Sequence, residues 1–324
     1  NLYYQRMGRH DVSRQSIFFE PNIWLRGNAW EIKAKMNSEL PDLTTMVNYR
    51  DDSNPMNIIL GNTQLRNIHY YDIEGGKTFE GKKHNRLNIN MGYHQTDNAV
   101  AYSLVFDKQT GVSTIQPISV NGNYRIDLGI GYTRPLDKKE KLSIDNQASF
   151  NYNHNVDMAM VQGATQSQRS IVNNWKISNV LKLNYRLDDN YEFTLHGGGT
   201  YYLIKSQREG FSNIHAGDYN IGVNVQVALP WKLQLTTDLT MFARRGYQLS
   251  EMNTTDWIWN AQLSRSFINK KLLVKLQGFD ILRQLSNTQY LMNAQGRTET
   301  WNNSIPRYMM LSLSWRFNVN PKKK

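Results

Sequence analysis

Hydrophobic and polar residues alternate with period two along most of this 324-residue chain. The last such run, 307–317, reads Arg-Tyr-Met-Met-Leu-Ser-Leu-Ser-Trp-Arg-Phe. Successive strand side chains point to opposite faces, so Met309, Leu311, Leu313, Trp315 and Phe317 share one face. Met310, Ser312, Ser314 and Arg316 share the other. The pattern recurs upstream: Leu87, Ile89, Met91 and Tyr93 interleave with Asn88, Asn90, Gly92 and His94 in a strand expected to run to about residue 106. Ile126, Leu128, Ile130 and Tyr132 interleave with Asp127, Gly129 and Gly131 in the next. Earlier strands are expected over 16–25, 30–39 and 68–80, with turns at 26–29 and 81–85. Residues 41–67 carry no sustained period and predict the largest loop, facing outward; a second long loop is expected over 283–306. Counting the runs gives about thirteen strands and about twelve connections, an all-β antiparallel chain.

The hairpin within residues 175–201 fixes a length. Trp175, Ile177, Leu181, Leu183 and Tyr185 line one face of its first strand, and Tyr191, Phe193, Leu195, Gly197, Gly199 and Tyr201 one face of its second. Opposed residues of an antiparallel pair have a constant sum of numbers. A hairpin centred on Asp188 therefore sets Tyr185 against Tyr191 and Trp175 against Tyr201. Ten residues at about 3.3 Å each, tilted about 45°, rise roughly 23 Å, close to the apolar band of a membrane barrel. Two aromatic belts with an oily zone between them are what a bilayer requires.

Composition agrees with a barrel that crosses membranes by strands. Hydrophobic residues make up 40% of the chain and mean hydropathy is −0.62. No stretch approaches the roughly 18 consecutive apolar residues of a spanning helix. A barrel strand needs only about ten alternating residues, so half its side chains stay polar and the average hides the apolar face. Eighteen Tyr and eight Trp are enough for belts at two interfaces. The chain has no Cys, which excludes disulfides and thiolate metal sites and suits an exported protein that manages without bridges. No secretory signal opens it, so the start reads as truncated.

The net charge of +11 raises nucleic-acid binding as a reading. Basic residues such as Lys176, Lys182 and Arg186 alternate with apolar ones on strands instead of forming a clustered stripe, which points away from it. No long block of cations exists apart from Lys322 to Lys324. Seven His are scattered without zinc-site spacing, and His94, His154 and His196 read as polar wall residues. Gly197-Gly198-Gly199 lacks the Lys-Ser/Thr of a phosphate loop and falls mid-strand, where glycine permits bending or close packing. Asp51 and Asp52 could grip a cation, but adjacent acids on a polar loop are ordinarily solvated. No Ser has a nucleophile elbow. No cofactor, no metal and no enzymatic activity are expected.

Three stretches carry a family resemblance. Residues 52–66 read Asp-Ser-Asn-Pro-Met-Asn-Ile-Ile-Leu-Gly-Asn-Thr-Gln-Leu-Arg. They resemble the mid-barrel segment of TonB-dependent receptors, where Gly-Asn-Pro-x-Leu-Lys-Pro-Glu leads into a strand. Thr63 stands for the first Pro, Arg66 for Lys, and Asn67-Ile68 for the final Pro-Glu. Residues 117–124, Pro-Ile-Ser-Val-Asn-Gly-Asn-Tyr, and the closing aromatic-x-Phe strand add to the likeness. The chain thus resembles the TonB-receptor-related outer-membrane barrels common in Bacteroidetes. In that family Leu313, Trp315 and Phe317 would form the signal read by the barrel-assembly machinery.

The resemblance implies a barrel of about 22 strands with a plug and a TonB-engaging box. If the closing strand descends to a periplasmic C-terminus, thirteen strands make the first one descend as well, although single-chain barrels have even counts and both ends in the periplasm. Residues 1–317 are therefore expected to be the C-terminal part of such a barrel and 318–324 a periplasmic basic tail. The implied function is energised uptake of a scarce solute: an iron chelate, cobalamin, glycan or peptide. The implied partners are outer-membrane lipid, the TonB complex and, as in some relatives, a surface lipoprotein. Candidate solute contacts lie in the two long loops: Tyr49, Arg50, Asp51, Asp52 and Asn54, then Gln289, Tyr290, Arg297 and Trp301. Lys176, Lys182, Arg186 and Lys275 would make the lumen wall basic, favouring anions or balancing acids elsewhere. Competing readings are a non-transporting outer-membrane scaffold or assembly component on the same barrel, a passive porin, and a soluble all-β protein.

Overall fold

The computed structural model describes residues 2–4, 12–82, 84–161, 163–285, 288–292, 297–301, 305 and 307–317. Thirteen strands form one antiparallel sheet. They are β1 (Asn22–Gly27), β2 (Trp30–Glu39), β3 (Ile68–Glu80), β4 (Arg86–Asp97), β5 (Asn123–Pro135), β6 (Leu142–Ala159) and β7 (Gln168–Asp188). After them come β8 (Tyr191–Ser206), β9 (Ile214–Leu229), β10 (Leu233–Arg245), β11 (Thr255–Phe267), β12 (Leu272–Phe279) and β13 (Tyr308–Trp315). Each pairs with its neighbours in sequence, so the sheet is a continuous meander. The predicted strand number is the observed one, and β2 and β3 begin and end where the alternation places them.

Connections alternate in length. Short turns at 28–29, 81–85, 136–141, 189–190, 230–232 and 268–271 share one rim, and the longer connections 40–67, 98–122, 160–167, 207–213, 246–254 and 280–307 share the other. Below, these are the turn rim and the loop rim.

Three local expectations are corrected. The first strand starts at Asn22 rather than residue 16, directly after Pro21, which has no N–H for a ladder. The run expected to reach residue 106 breaks at Asn98, whose φ of 56° is left-handed, a conformation Asn tolerates. Ala99–Phe106 consequently leaves the main sheet. The β7–β8 hairpin pairs Tyr185 with Phe193 and Trp175 with Leu203, two residues away from the predicted partners, because the turn is centred between Asp189 and Asn190 instead of on Asp188; the bulge at Leu187 takes back one residue of the resulting shift. A slip of two keeps every side chain on its predicted face.

The long region 40–67 is ordered. With 98–122 it builds a cap of four strands: Arg50–Asp51, Asn57–Leu60, Ser113–Val120 and Ala99–Phe106. Asn57–Leu60 and Ser113–Val120 pair in parallel. One helical turn, Leu43–Met46, is N-capped by Asp42, whose carboxylate accepts from the Thr44 N–H at 2.8 Å. The cap rests on the extended ends of β6 and β7, where Ala101, Val120 and Val156 are buried against Ile118, Met158 and Ile171.

Cap geometry rests on carboxylates. Thr44 beside Asp42, Ser53 beside Asp51 and Thr110 beside Asp107 donate to them and hold all three below the usual carboxyl range. A depressed folded-state pKa stabilises at every pH above the unfolded value, and the contribution disappears as pH falls through the folded one. Amide exchange over 42–53 and 107–111 is thus expected to stay slow at neutral pH and to accelerate only below the ordinary range of Asp. Exchange that is already fast at neutral pH would show that these bonds do not order the cap.

The two faces of the sheet differ throughout. On one, Tyr93, Tyr124, Tyr152 and Trp175 form a row near the loop rim with ring centroids 5.2–6.1 Å apart. Tyr185 and Phe193, 6.5 Å apart, lie toward the turn rim. Between the belts are aliphatic rows such as Leu183, Leu195, Val223 and Leu239. Leu195 is 48% and Leu313 69% exposed, so this apolar face is left open. The opposite face carries Asp, Asn, Lys, Ser, Thr and His.

Candidate functional site

The polar face is organised around His94 on β4. Its Nδ1 lies 2.6 Å from Asp72 Oδ1 on β3, and its Nε2 lies 3.3 Å from Asp127 Oδ2 on β5. Lys35 on β2 reaches Asp72 at 3.4 Å, Arg125 reaches Asp127 at 2.6 Å, and Asn151 Nδ2 donates to Asp127 Oδ1 at 2.6 Å. Five strands, β2 to β6, are thus joined by one charged chain. Beside it lies a recess of about 380 Å³ floored by Gly76, Gly92 and Gly129, with Lys33, Glu31 and Glu74 on its far side. Glycine is what leaves this space: a Cβ at Gly92 would stand 3.0 Å from His94 Nε2, and one at Gly76 2.9 Å from Asn90 Oδ1.

Closer to the loop rim, the same face holds a second cavity of about 470 Å³. Its polar lining includes Thr96, Asn123, Asn155, Asp157, Ser170, Asn174 and Arg208. Ser170 Oγ and Asn174 Oδ1 are buried without a hydrogen-bond partner among the described residues. Next to this cavity the connections 207–213 and 246–254 fold inward: Phe211 and Tyr247 cover Val172, Ile204, Ile214 and Ala216. The Tyr247 hydroxyl donates to Asp218 Oδ1 at 2.8 Å. Burial, reinforced by Asp218, raises the Tyr247 phenol well above its ordinary value.

A model of the outer membrane protein beta-barrel family matches residues 25–198 and 161–315. The chain belongs to that family. No curated protein matches it. This outer-membrane barrel turns its open apolar face to lipid, and the charged face is the lumen wall. The His94 chain and the two cavities therefore stand on the lumenal side.

The predicted site residues fall in different surroundings. Tyr49, Arg50, Asp51, Asp52 and Asn54 come together on the cap, where they bond largely to one another. Tyr49 Oη donates to Asp51 at 2.9 Å, Arg50 Nε to Asp52 at 3.2 Å, and the Met56 N–H to Asn54 Oδ1 at 3.1 Å. Gln289, Tyr290, Arg297 and Trp301 lie on the hairpin Thr288–Met292 with Arg297–Trp301; their side chains lie outside the described set, as do residues 318–324. Leu313 and Trp315 sit on the lipid face, and the Trp315 ring is 6.3 Å from that of Phe317. Lys176, Lys182, Arg186 and Lys275 all point to the lumen. Lys182 stands opposite Asp145, and Arg186 pairs with Asp189 at 2.8 Å, so part of that basic wall is balanced locally.

Neither Asp72 nor Arg125 stands out in the sequence, where His94 reads as an isolated wall residue. The available signal was the alternation of Gly92, Gly129 and Gly131 with large apolar residues, which marks a thinned wall on the polar side. Placing the acids against His94 requires the register of three strands.

Proposed function

We propose that this outer-membrane barrel belongs to a TonB-dependent receptor of a Bacteroidetes-type bacterium and imports a scarce solute, without enzymatic activity of its own. The observation that carries the reading is the segment resembling the TonB-receptor mid-barrel motif. It forms a clasp that ties the two halves of the cap together. Leu65 is 2% exposed, Asn62 Nδ2 donates to the Pro117 carbonyl at 2.8 Å, and the Arg66 N–H donates to Ser119 Oγ at 3.0 Å. The two stretches that carry the resemblance, 52–66 and 117–124, are thus bonded to each other.

Other features agree with import. All longer connections share one rim, as expected of external solute-capturing loops above a periplasmic turn rim and C-terminus. The lumenal cavities lie on the route between the rims. Lys176 and Lys275 favour an anionic solute. The outer edges of β1 and β13 are unpaired among the described residues, and lipid does not tolerate unpaired backbone; further strands of a larger barrel would close both. In this reading Leu313, Trp315 and Phe317 engage the assembly machinery, and the capped rim could receive a surface lipoprotein.

The test is uptake of labelled iron chelates, cobalamin, oligosaccharides and peptides by cells carrying the full-length protein, with and without a functional TonB. Import predicts that uptake of one solute class falls without TonB to the level of cells lacking the barrel. Uptake of every class that is indifferent to TonB would replace import by the scaffold reading.

A further inference from the structure

The lipid-facing side of β10 to β13 contains a groove of about 520 Å³. Its origin lies in one cross-strand row, Thr237–Ala261–Gly278–Met309, where two small residues stand between larger ones. The next row toward the turn rim, Leu235–Leu263–Leu276–Leu311, consists of leucine throughout and walls the trough on that side. On the loop-rim side the wall is Ile281. Its N–H donates to the Trp259 carbonyl at 2.8 Å, and its side chain would stand 3.3 Å from a Cβ at Gly278. The trough is apolar, and the lipid face continues around it.

One cation stands at its mouth. Arg307 lines the groove, shares strand parity with Met309 and Leu311, and is exposed. Its Nη1 donates weakly to the Ile281 carbonyl at 3.4 Å, and it has no carboxylate partner among the described residues. Its height is set by the strand. Trp315 lies beside the turn rim, opposite Leu272. Arg307 is eight residues away, which at about 3.3 Å per residue and a tilt of about 40° gives a rise of roughly 20 Å. The apolar band is about 25 Å tall, so Arg307 reaches the headgroup level of the leaflet at the loop rim, above a groove that lies within the acyl layer.

We propose that this groove is a binding site for one membrane lipid with a net-anionic phosphate headgroup, its acyl chain lying over Ala261 and Gly278 and its phosphate paired with Arg307. A guanidinium forms bidentate bonds with phosphate oxygens, and in a net-anionic headgroup no choline ammonium offsets the phosphate charge it meets. The site rests on the lipid-facing assignment of this face and is independent of import.

The test uses the full-length protein purified in detergent, with retained lipid counted by native mass spectrometry during titration with phosphatidylglycerol or phosphatidylcholine of the same acyl chains. Heat-modifiable electrophoretic mobility confirms that each variant is folded. The wild type is expected to retain one phosphatidylglycerol in preference to phosphatidylcholine by about fivefold, the worth of a single cation at a membrane surface. R307Q should abolish the preference and R307K should keep most of it. Ala261→Leu, which fills the trough, should weaken retention of both lipids. Equal retention of the two lipids by the wild type, or a preference that survives R307Q, overturns the headgroup assignment. Retention unchanged in Ala261→Leu overturns the groove.

Discussion

Val223→Arg is expected to destabilise the folded barrel by about 2–4 kcal/mol, the cost of a cation on the lipid face at the bilayer midplane. Asn224→Arg, one residue away, should change stability by no more than about 0.5 kcal/mol. Val223 lies in the row Leu195–Val223–Leu239. It is four residues from Tyr219 in one direction and four from Val227, the partner of Tyr191, in the other. An arginine there can reach neither interface without distorting the bilayer. Asn224 points to the lumen between Thr194 and Asp238, where a guanidinium meets water and a carboxylate. Equilibrium urea unfolding in lipid vesicles measures both variants. Equal costs, or a larger cost for Asn224→Arg, would mean that the faces of β9 are assigned the wrong way round.

This pair of residues also shows why so much of the fold was readable. A strand with lipid on one side and water on the other writes its orientation into every second residue, and no partner is needed to read it. Thirteen runs, the bounds of β2 and β3, and both aromatic belts follow from that local signal. Register does not. Alternation is blind to a shift of two, so the pairing of Tyr185 with Phe193 instead of Tyr191, set by the turn at Asp189-Asn190 together with a one-residue bulge at Leu187, leaves no trace in the pattern.

The cap and the charged wall were illegible for a related reason. Asn57–Leu60 pairs in parallel with Ser113–Val120, more than fifty residues on, and a four-residue strand is too short to show a period. Region 41–67 consequently read as a loop. The His94 chain draws one residue from each of several strands, and spacing along the sequence says nothing about which acid faces it. Where the sequence did point to polar residues, at Tyr49 to Asn54, it identified an exposed tip. The bonds within that tip hold the cap in shape.

Gly61→Val is expected to release the cap while leaving the barrel folded. A Cβ at this position would stand 1.8 Å from the Val47 carbonyl oxygen, so the two backbone segments must separate. They are held together on both sides: the Gly61 N–H donates to the Tyr49 carbonyl at 2.9 Å and the Asn62 N–H to the Thr45 carbonyl at 2.7 Å. Overpacking against side chains costs about 1–3 kcal/mol, and backbone cannot rotate out of the way as a side chain can. The cap has only a small core beside the clasp to set against this, with Met46, Val47, Leu65 and Pro117 buried there. The thirteen-stranded sheet draws nothing from these contacts. Rapid proteolysis within 40–67 is therefore expected alongside unchanged heat-modifiable mobility of the barrel. Gly197→Ala, whose nearest contact would be an ordinary 3.7 Å, should leave both unchanged. Protease resistance retained in Gly61→Val would show that the clasp does not hold the cap. If the cap opens and solute uptake is lost while the barrel persists, the loop rim is where the solute is captured.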